Sequence, residues 1–252
     1  MTAARAADLA ALLATAHDTG TPVDPDALPA VDSVADGYRV QARLVDRLRA
    51  ARGEPVGYKV GFTNERVRAE LAVEEPSYGR LLADTVRSSP ATVEAADFVG
   101  VRVEPEIAFR LADDLRADAT RRAAREAVGA VVPAVELVDS RTDWTFDAPL
   151  AVADNSLDAG LVAGAGRDPT GIALADEAVT LRVDGSPVDS GVGGDVLGHP
   201  LAALTWLADA VGGLSAGALV TTGSLTEPLA VAAGETVRAS FASLGDVELR
   251  VE

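Results

Sequence analysis

A mixed α/β fold is what this sequence predicts: a helical region over residues 1–55, then a β-rich body over residues 56–252 that forms one structural unit. Three observations lead there. Apolar residues recur at helical spacing through the first part of the chain. From Val56 onward the apolar runs shorten, and from Ala218 they read as brief strands parted by Gly-rich turns. Strands and helices do not alternate as long βαβ units, which argues against a doubly wound sheet.

Taken in order, residues 3–16 form one amphipathic helix and residues 34–51 a longer one. The connector between them, residues 20–32, holds three prolines. Gly53 and Pro55 stop the second helix, and Val56-Gly57-Tyr58-Lys59-Val60-Gly61 follows as a strand. Residues 64–71 read as a short helix capped by Asn64. A loop and strand then run from Pro76 to Asp84. Residues 118–128 read as a helix joining two apolar strands, and Asp184-Gly185 marks a hairpin turn. Leu197-Gly198-His199-Pro200 opens a helix through Val211, and the final strands fall at 218–222, 229–231, 235–242 and 246–251. His17 is expected at the surface, and His199 is expected to serve the start of its helix.

Composition narrows the function. The hydrophobic content is 48%, which suits a globular chain with a sizeable core. The absence of cysteine removes disulfides, thiol nucleophiles and thiolate metal sites. No run approaches the ~18–20 apolar residues of a membrane span. Asp8 interrupts the N-terminal apolar run, so that segment reads as a helix and not a leader, and a cytoplasmic protein is expected. A net charge of −17 disfavours nucleic acid and anionic membranes as partners. One of the 22 basic residues is lysine and the rest are arginine. Strong acidity with so little lysine suggests adaptation to high salt, although a GC-rich genome also favours arginine.

Three carboxylates carry most of the chemical signal. Glu104 and Glu106 flank Pro105 in an apolar strand, and a side-chain period of two puts both on one face. Like charges on an apolar face repel, and desolvation raises the cost further. Glu136 sits in a second apolar run, residues 130–138. If the strands are neighbours, three carboxylates converge, and all-oxygen ligands favour a hard ion such as Mg²⁺ or Mn²⁺. A solvated acidic face is the alternative. Pro105 cannot donate to a ladder, so its strand is an edge, is bulged there, or lines an opening. Lys59, the sole lysine, stands between two glycines that allow close approach. A compact, tunable charge retained where lysine is otherwise absent points to chemistry. No dinucleotide or P-loop fingerprint is present.

Several stretches in order resemble one family: Gly57-Tyr58-Lys59-Val60-Gly61-Phe62-Thr63, Pro76-Ser77-Tyr78-Gly79-Arg80-Leu81, Glu104-Pro105-Glu106-Ile107, Pro133 to Arg141, Ala153-Asp154-Asn155, Leu197 to Pro200 and Thr222-Gly223-Ser224. Together they resemble the 2-hydroxypenta-2,4-dienoate (2-keto-4-pentenoate) hydratases and 4-oxalocrotonate decarboxylases of the fumarylacetoacetase superfamily. The resemblance implies Mg²⁺ or Mn²⁺ held by Glu104, Glu106 and Glu136. It also implies catalytic roles for Lys59 and Asp84, and substrate contacts at Leu81, Asn155 and Ser156. A small 2-oxo or 2-hydroxydienoic acid is the implied substrate. A homo-oligomer, associated with an aldolase or decarboxylase of the same pathway, is the implied assembly. One departure stands out: such proteins often carry Ser after Ala-Asp-Asn-Ala, where this chain has Leu157. Hydration is expected over decarboxylation, because a second substrate carboxylate would need a further cation, and Arg80 and Arg141 read as structural. A carbon–carbon hydrolase and a non-catalytic partner subunit are the remaining alternatives.

Overall fold

The computed structural model describes residues 1–252. Helix α1 (Ala3–Thr19) starts where Thr2 accepts a hydrogen bond from Arg5 N, and it stops at Gly20, whose φ of 60° few other residues adopt. Helix α2 (Val34–Arg52) begins likewise at Ser33, which accepts from Asp36 N. Leu9 and Leu13 of α1 meet Val40, Leu44 and Leu48 of α2 in a small apolar cluster of their own. Each such leucine, fully buried, contributes roughly 1.5–3 kcal/mol.

The body is built on two sheets. In chain order the strands are β1 (Pro55–Gly61), β2 (Ser77–Leu82), β3 (Val86–Ser88), β4 (Ala91–Val93), β5 (Arg102–Leu111), β6 (Val128–Val138) and β7 (Asp158–Ala163), then β8 (Ala178–Val183), β9 (Ser186–Val192), β10 (Leu219–Ser224), β11 (Leu229–Ala230), β12 (Thr236–Phe241) and β13 (Gly245–Val251). The larger sheet runs β2-β1-β10-β5-β6-β7-β3, with β11 also paired to β5. The smaller runs β4-β13-β12-β8-β9. Most pairs are antiparallel; β1 with β10, β3 with β7 and β4 with β13 are parallel. Four helices interrupt the strands: α3 (Glu65–Glu70), α4 (Arg121–Ala127), α5 (Ala148–Ala153) and α6 (Pro200–Val211).

Alternation then decides what faces what. On β5, Val103, Ile107 and Phe109 join the main core, which also holds Leu181 of β8, Val237 of β12, Leu249 of β13 and Leu204 of α6. The even-numbered residues Glu104, Glu106 and Ala108 therefore face the other way. On β6 the same split puts Val131, Val135 and Leu137 in the main core and leaves Val132, Ala134 and Glu136 opposite.

Two expectations are corrected and one set of alternatives is decided. The helix expected over 118–128 is shorter: Thr120 caps it by accepting from Ala123 N, and Val128 already belongs to β6. Of the alternatives for the strand of Pro105, the bulge holds and the edge does not, since β10 and β6 flank it. Its proline is accommodated where the β10 register shifts between Thr221 and Ser224, and Pro105 O still accepts from Leu225 N. His17 is buried, 6% exposed, and not at the surface.

Candidate active site

Glu104 lies directly opposite Glu136 in the β5–β6 ladder, and Glu106 lies opposite Ala134. One carboxylate oxygen from each of the three glutamates lies within 4.8 Å of the others. Glu106 and Glu136 are fully buried, while Glu104 is half-buried. Glu106 Oε2 accepts from Gly223 N at 2.8 Å. That approach requires glycine: φ at Gly223 is 110°, and a Cβ would lie 2.3 Å from Thr63 Oγ1. Glu106 Oε1 and both oxygens of Glu136 have no hydrogen-bond partner.

Lys59 reaches the cluster from β1. Its Nζ stands 3.1 Å from Glu136 Oε1, close enough for an ion pair but without hydrogen-bond alignment. Three carboxylates and one ammonium leave two negative charges, which a divalent cation balances. Burial, then Glu136, pushes the Glu104 carboxyl up to about 7 and raises Glu106 well above the ordinary range. Burial opposes the charge on Lys59, yet Glu136, Glu104 and Glu106 together raise its pKa. The orphaned oxygens, the compensating lysine and the all-oxygen donor set fit a hard divalent cation.

Lys59 and Glu104 form part of the lining of a cleft of about 560 Å³. Ser156 and Leu157 also line it. They belong to three successive residues, Asn155, Ser156 and Leu157, with φ of 52°, 51° and 64°. A left-handed run of non-glycine residues costs roughly 1–2 kcal/mol each, and such strain clusters at functional sites. Asn155 holds the turn in place: its Oδ1 accepts from Arg80 N at 2.8 Å, and its Nδ2 donates to Arg80 O at 2.9 Å. Ser156 Oγ donates to Tyr78 O at 2.8 Å.

The remaining expected site residues fall elsewhere. Asp84 is exposed and outside the cleft, in the turn after β2. Leu81 is fully buried among Ala108, Ala134 and Leu161 and touches no cleft space. Asn155 shapes the turn from behind and does not line the cleft. His199 caps α6, its Nδ1 accepting from Leu201 N.

Two residues carried no signal that the sequence reading used. Arg102 lines the cleft and stacks on Trp144, its guanidinium carbon 3.6 Å from the ring centroid. It shares the period-two face of Glu104 and Glu106, and that spacing could have exposed it. Its presence corrects the expectation that the pocket offers no further cation. Arg80 and Arg141 are structural as expected: Arg80 lies over Tyr58, and Arg141 is bound to Asp154. The second is Asp158, buried, with Oδ1 unpartnered and its carboxyl pushed up to about 8 by burial and then Glu136.

The family model for the fumarylacetoacetate (FAA) hydrolase C-terminal region matches residues 53–252. The chain belongs to this family. Among FAA hydrolase relatives, a 2-keto-4-pentenoate hydratase of Burkholderia vietnamiensis is 36% identical over 96% of this chain and 95% of its own length. A 4-oxalocrotonate decarboxylase of a Pseudomonas species is 34% identical over 85% of this chain and 86% of its own. The solved structure of 4-oxalocrotonate decarboxylase from Pseudomonas putida G7, complexed with magnesium and adipate, superposes with a TM-score of 0.93 at 27% identity. That match covers 100% of this chain and 99% of the other. The FAA hydrolase fold, helices first and a sheet-rich body after, is thus the fold of this protein.

Proposed function

We propose that this protein is a divalent-metal-dependent hydratase that adds water to 2-hydroxypenta-2,4-dienoate, through its 2-oxo-3-enoate tautomer, to give a 4-hydroxy-2-oxo acid in aromatic catabolism. The observation that carries the reading is the set of three convergent glutamates, largely unpaired, beside Lys59 at a cleft. Glu104, Glu106 and Glu136 would hold Mg²⁺ or Mn²⁺. When bound, such an ion supplies Lewis-acid stabilisation of negative charge on a 2-oxo acid.

The chain's own residues supply the rest. Lys59 offers a positive charge to an oxyanion forming at the 2-position. Asp158 replaces the exposed Asp84 as a buried acid that holds a proton near neutral pH, within electrostatic range of Lys59 and Glu136. Val138, Phe146, Leu157 and Leu225 give the cleft apolar walls suited to a hydrocarbon chain. Neither histidine is available to activate water for carbon–carbon hydrolysis, because His17 is bound to Asp154 and His199 caps a helix. A non-catalytic scaffold would have no need of unpaired buried glutamates. Self-association belongs to the same proposal, supported by Val188 and Val192 exposed on edge strand β9. So does pairing with an aldolase or decarboxylase of the pathway.

Decarboxylation of a 4-oxalocrotonate-type acid is the second reading, and Arg102 is the observation that favours it. The two are separated by one assay. Purified protein with Mg²⁺ should abolish the diene ultraviolet absorbance of 2-hydroxypenta-2,4-dienoate and form 4-hydroxy-2-oxopentanoate, while releasing no CO₂ from 2-oxo-3-hexenedioate. CO₂ release without dienoate consumption would reverse the assignment. Lys59→Met should lower kcat by about 10²–10³.

A further inference from the structure

Strand β2 is one edge of the larger sheet, and an edge strand has backbone groups with no strand to pair with. Here other elements take them. Arg80 N and O both bond to the Asn155 side chain, and Tyr78 O accepts from Ser156 Oγ at 2.8 Å. The left-handed turn thus docks on β2 much as a further strand would. Gly79 lies between those two residues, and a Cβ there would collide with Asn155 O. Gly79 also stands opposite Lys59 in the β1–β2 ladder, so the turn and the cleft lysine meet across one glycine.

Helix α2 grips Tyr78 at its amide, its ring and its carbonyl. Tyr38 Oη accepts from Tyr78 N at 3.1 Å, and the two rings stack with centroids 4.4 Å apart. Gln41 lies three residues on, on the same helix face. Its Nε2 donates to Tyr78 O at 2.8 Å and to Val152 O at 3.0 Å, and the residue is buried. A carbonyl oxygen has two lone pairs, and at Tyr78 they serve Gln41 and Ser156. Tyr38 and Gln41 belong to the helical region, before residue 53 where the family match begins. The glutamates and Lys59 lie after it.

We propose that Gln41 is a positioning residue: by holding the Tyr78 carbonyl it fixes Ser156 and Leu157 against the cleft, which makes the helical region a working part of the active site. The proposal rests on the reading of this cleft as the place of reaction, and it adds what keeps one wall in place. Strain sets the direction of the effect. Left-handed Ser156 and Leu157 are held by their contacts and not by preference, so losing a contact lets the wall relax.

The test compares the native Mn²⁺-loaded protein with its Gln41→Met, Tyr38→Phe and Leu9→Ala variants. Methionine keeps the length of Gln41 and removes its donor. Leu9→Ala opens a cavity in the helical cluster without removing a hydrogen bond of the brace, and it controls for lost stability. Amide hydrogen exchange across residues 154–158 should quicken about tenfold in Gln41→Met. The change should be smaller in Tyr38→Phe and absent in Leu9→Ala. On 2-hydroxypenta-2,4-dienoate, kcat should fall about 10- to 100-fold in Gln41→Met, with KM within about threefold. Mn²⁺ binding should be unchanged, because β5 and β6 carry the three glutamates. Leu9→Ala should melt earlier than the native protein yet keep its kcat. Unchanged exchange in Gln41→Met, or equal changes in Gln41→Met and Leu9→Ala, would overturn the role. Should Gln41→Met not fold, the milder Tyr38→Phe decides between the same outcomes. Quickened exchange in a protein that hydrates nothing would uphold the brace and remove the hydratase reading.

Discussion

Two clusters of buried charge sit in this protein, and they are opposites. The first joins the helical region to the body. Arg141, 2% exposed, donates through Nε to both carboxylate oxygens of Asp154 at 2.9 Å, and through Nη2 to the carbonyls of Asp154 and Asp158. His17 Nε2 meets Asp154 Oδ1 at 3.0 Å, and Arg52 Nη1 meets His17 Nδ1 at 3.2 Å. The network is consistent if Nε2 carries the proton of a neutral imidazole. Each charge there has its complement. The second cluster, Glu104, Glu106, Glu136 and Lys59, has three acids to one base and three orphaned oxygens. Folding completes the first by itself. The second is left for something to arrive, and that difference separates a structural device from a functional one.

Breaking the complete cluster should have the largest effect on stability. Arg141→Met strands Asp154 in the interior, and losing one partner of a buried pair costs about 3–5 kcal/mol. The melting temperature should fall by about 10 °C or more. Breaking the incomplete cluster should do the reverse in the presence of chelator. Glu106→Gln relieves repulsion and should raise the metal-free melting temperature, by an amount equivalent to about 1–2 kcal/mol. A fall there as large as that of Arg141→Met would erase the contrast.

His17 sharpens the comparison through pH. Burial, and next Arg141, lower its pKa from 6.5 to about 4. The folded state keeps the ring neutral while the unfolded chain takes up a proton, so the stability is whole above pH 6.5. It is lost as pH falls from 6.5 through 4, by up to about 3 kcal/mol. His17→Gln should flatten the difference between melting curves at pH 7 and pH 5, relative to the native protein. Parallel pH profiles for the two would contradict a neutral, complete network.

The smallest effect concerns the surface. We propose that the charge of −17 reflects adaptation to salt, so melting temperature should rise modestly between 0.1 M and 2 M KCl as the Debye length falls to about 3 Å or below. An unchanged temperature would leave genome composition as the account of the missing lysines.

Much of the second cluster was legible in the sequence because a strand has a period of two. Glu104 and Glu106 share a face whatever the tertiary fold, and only the pairing of β5 with β6 had to be supplied. The helix starts at Asn64 and His199 were readable because capping is local. The first cluster was not legible, because His17 meets Asp154 across 137 residues and nothing near either one announces the other. Asp84 came from the resemblance alone. An acid after a strand has no local mark of burial, and this one lies in an exposed turn. Arg102 was within reach of the periodic argument but went unused, since a cation beside two acids reads first as their ion pair. No helix is long and apolar enough to cross a membrane.

The account's central claim is that the orphaned glutamate oxygens await a divalent cation. Titration of Mn²⁺ into chelator-treated protein, followed by calorimetry at pH 6 and pH 8, tests it most directly. Glu104 and Glu106 hold protons above the ordinary carboxylate range, so metal must displace them. One ion should bind per chain, about tenfold or more tightly at pH 8, with proton release visible between buffers of different ionisation heat. Glu106→Gln should bind none measurably. Failure of the native protein to bind, or unchanged binding in Glu106→Gln, would contradict the account.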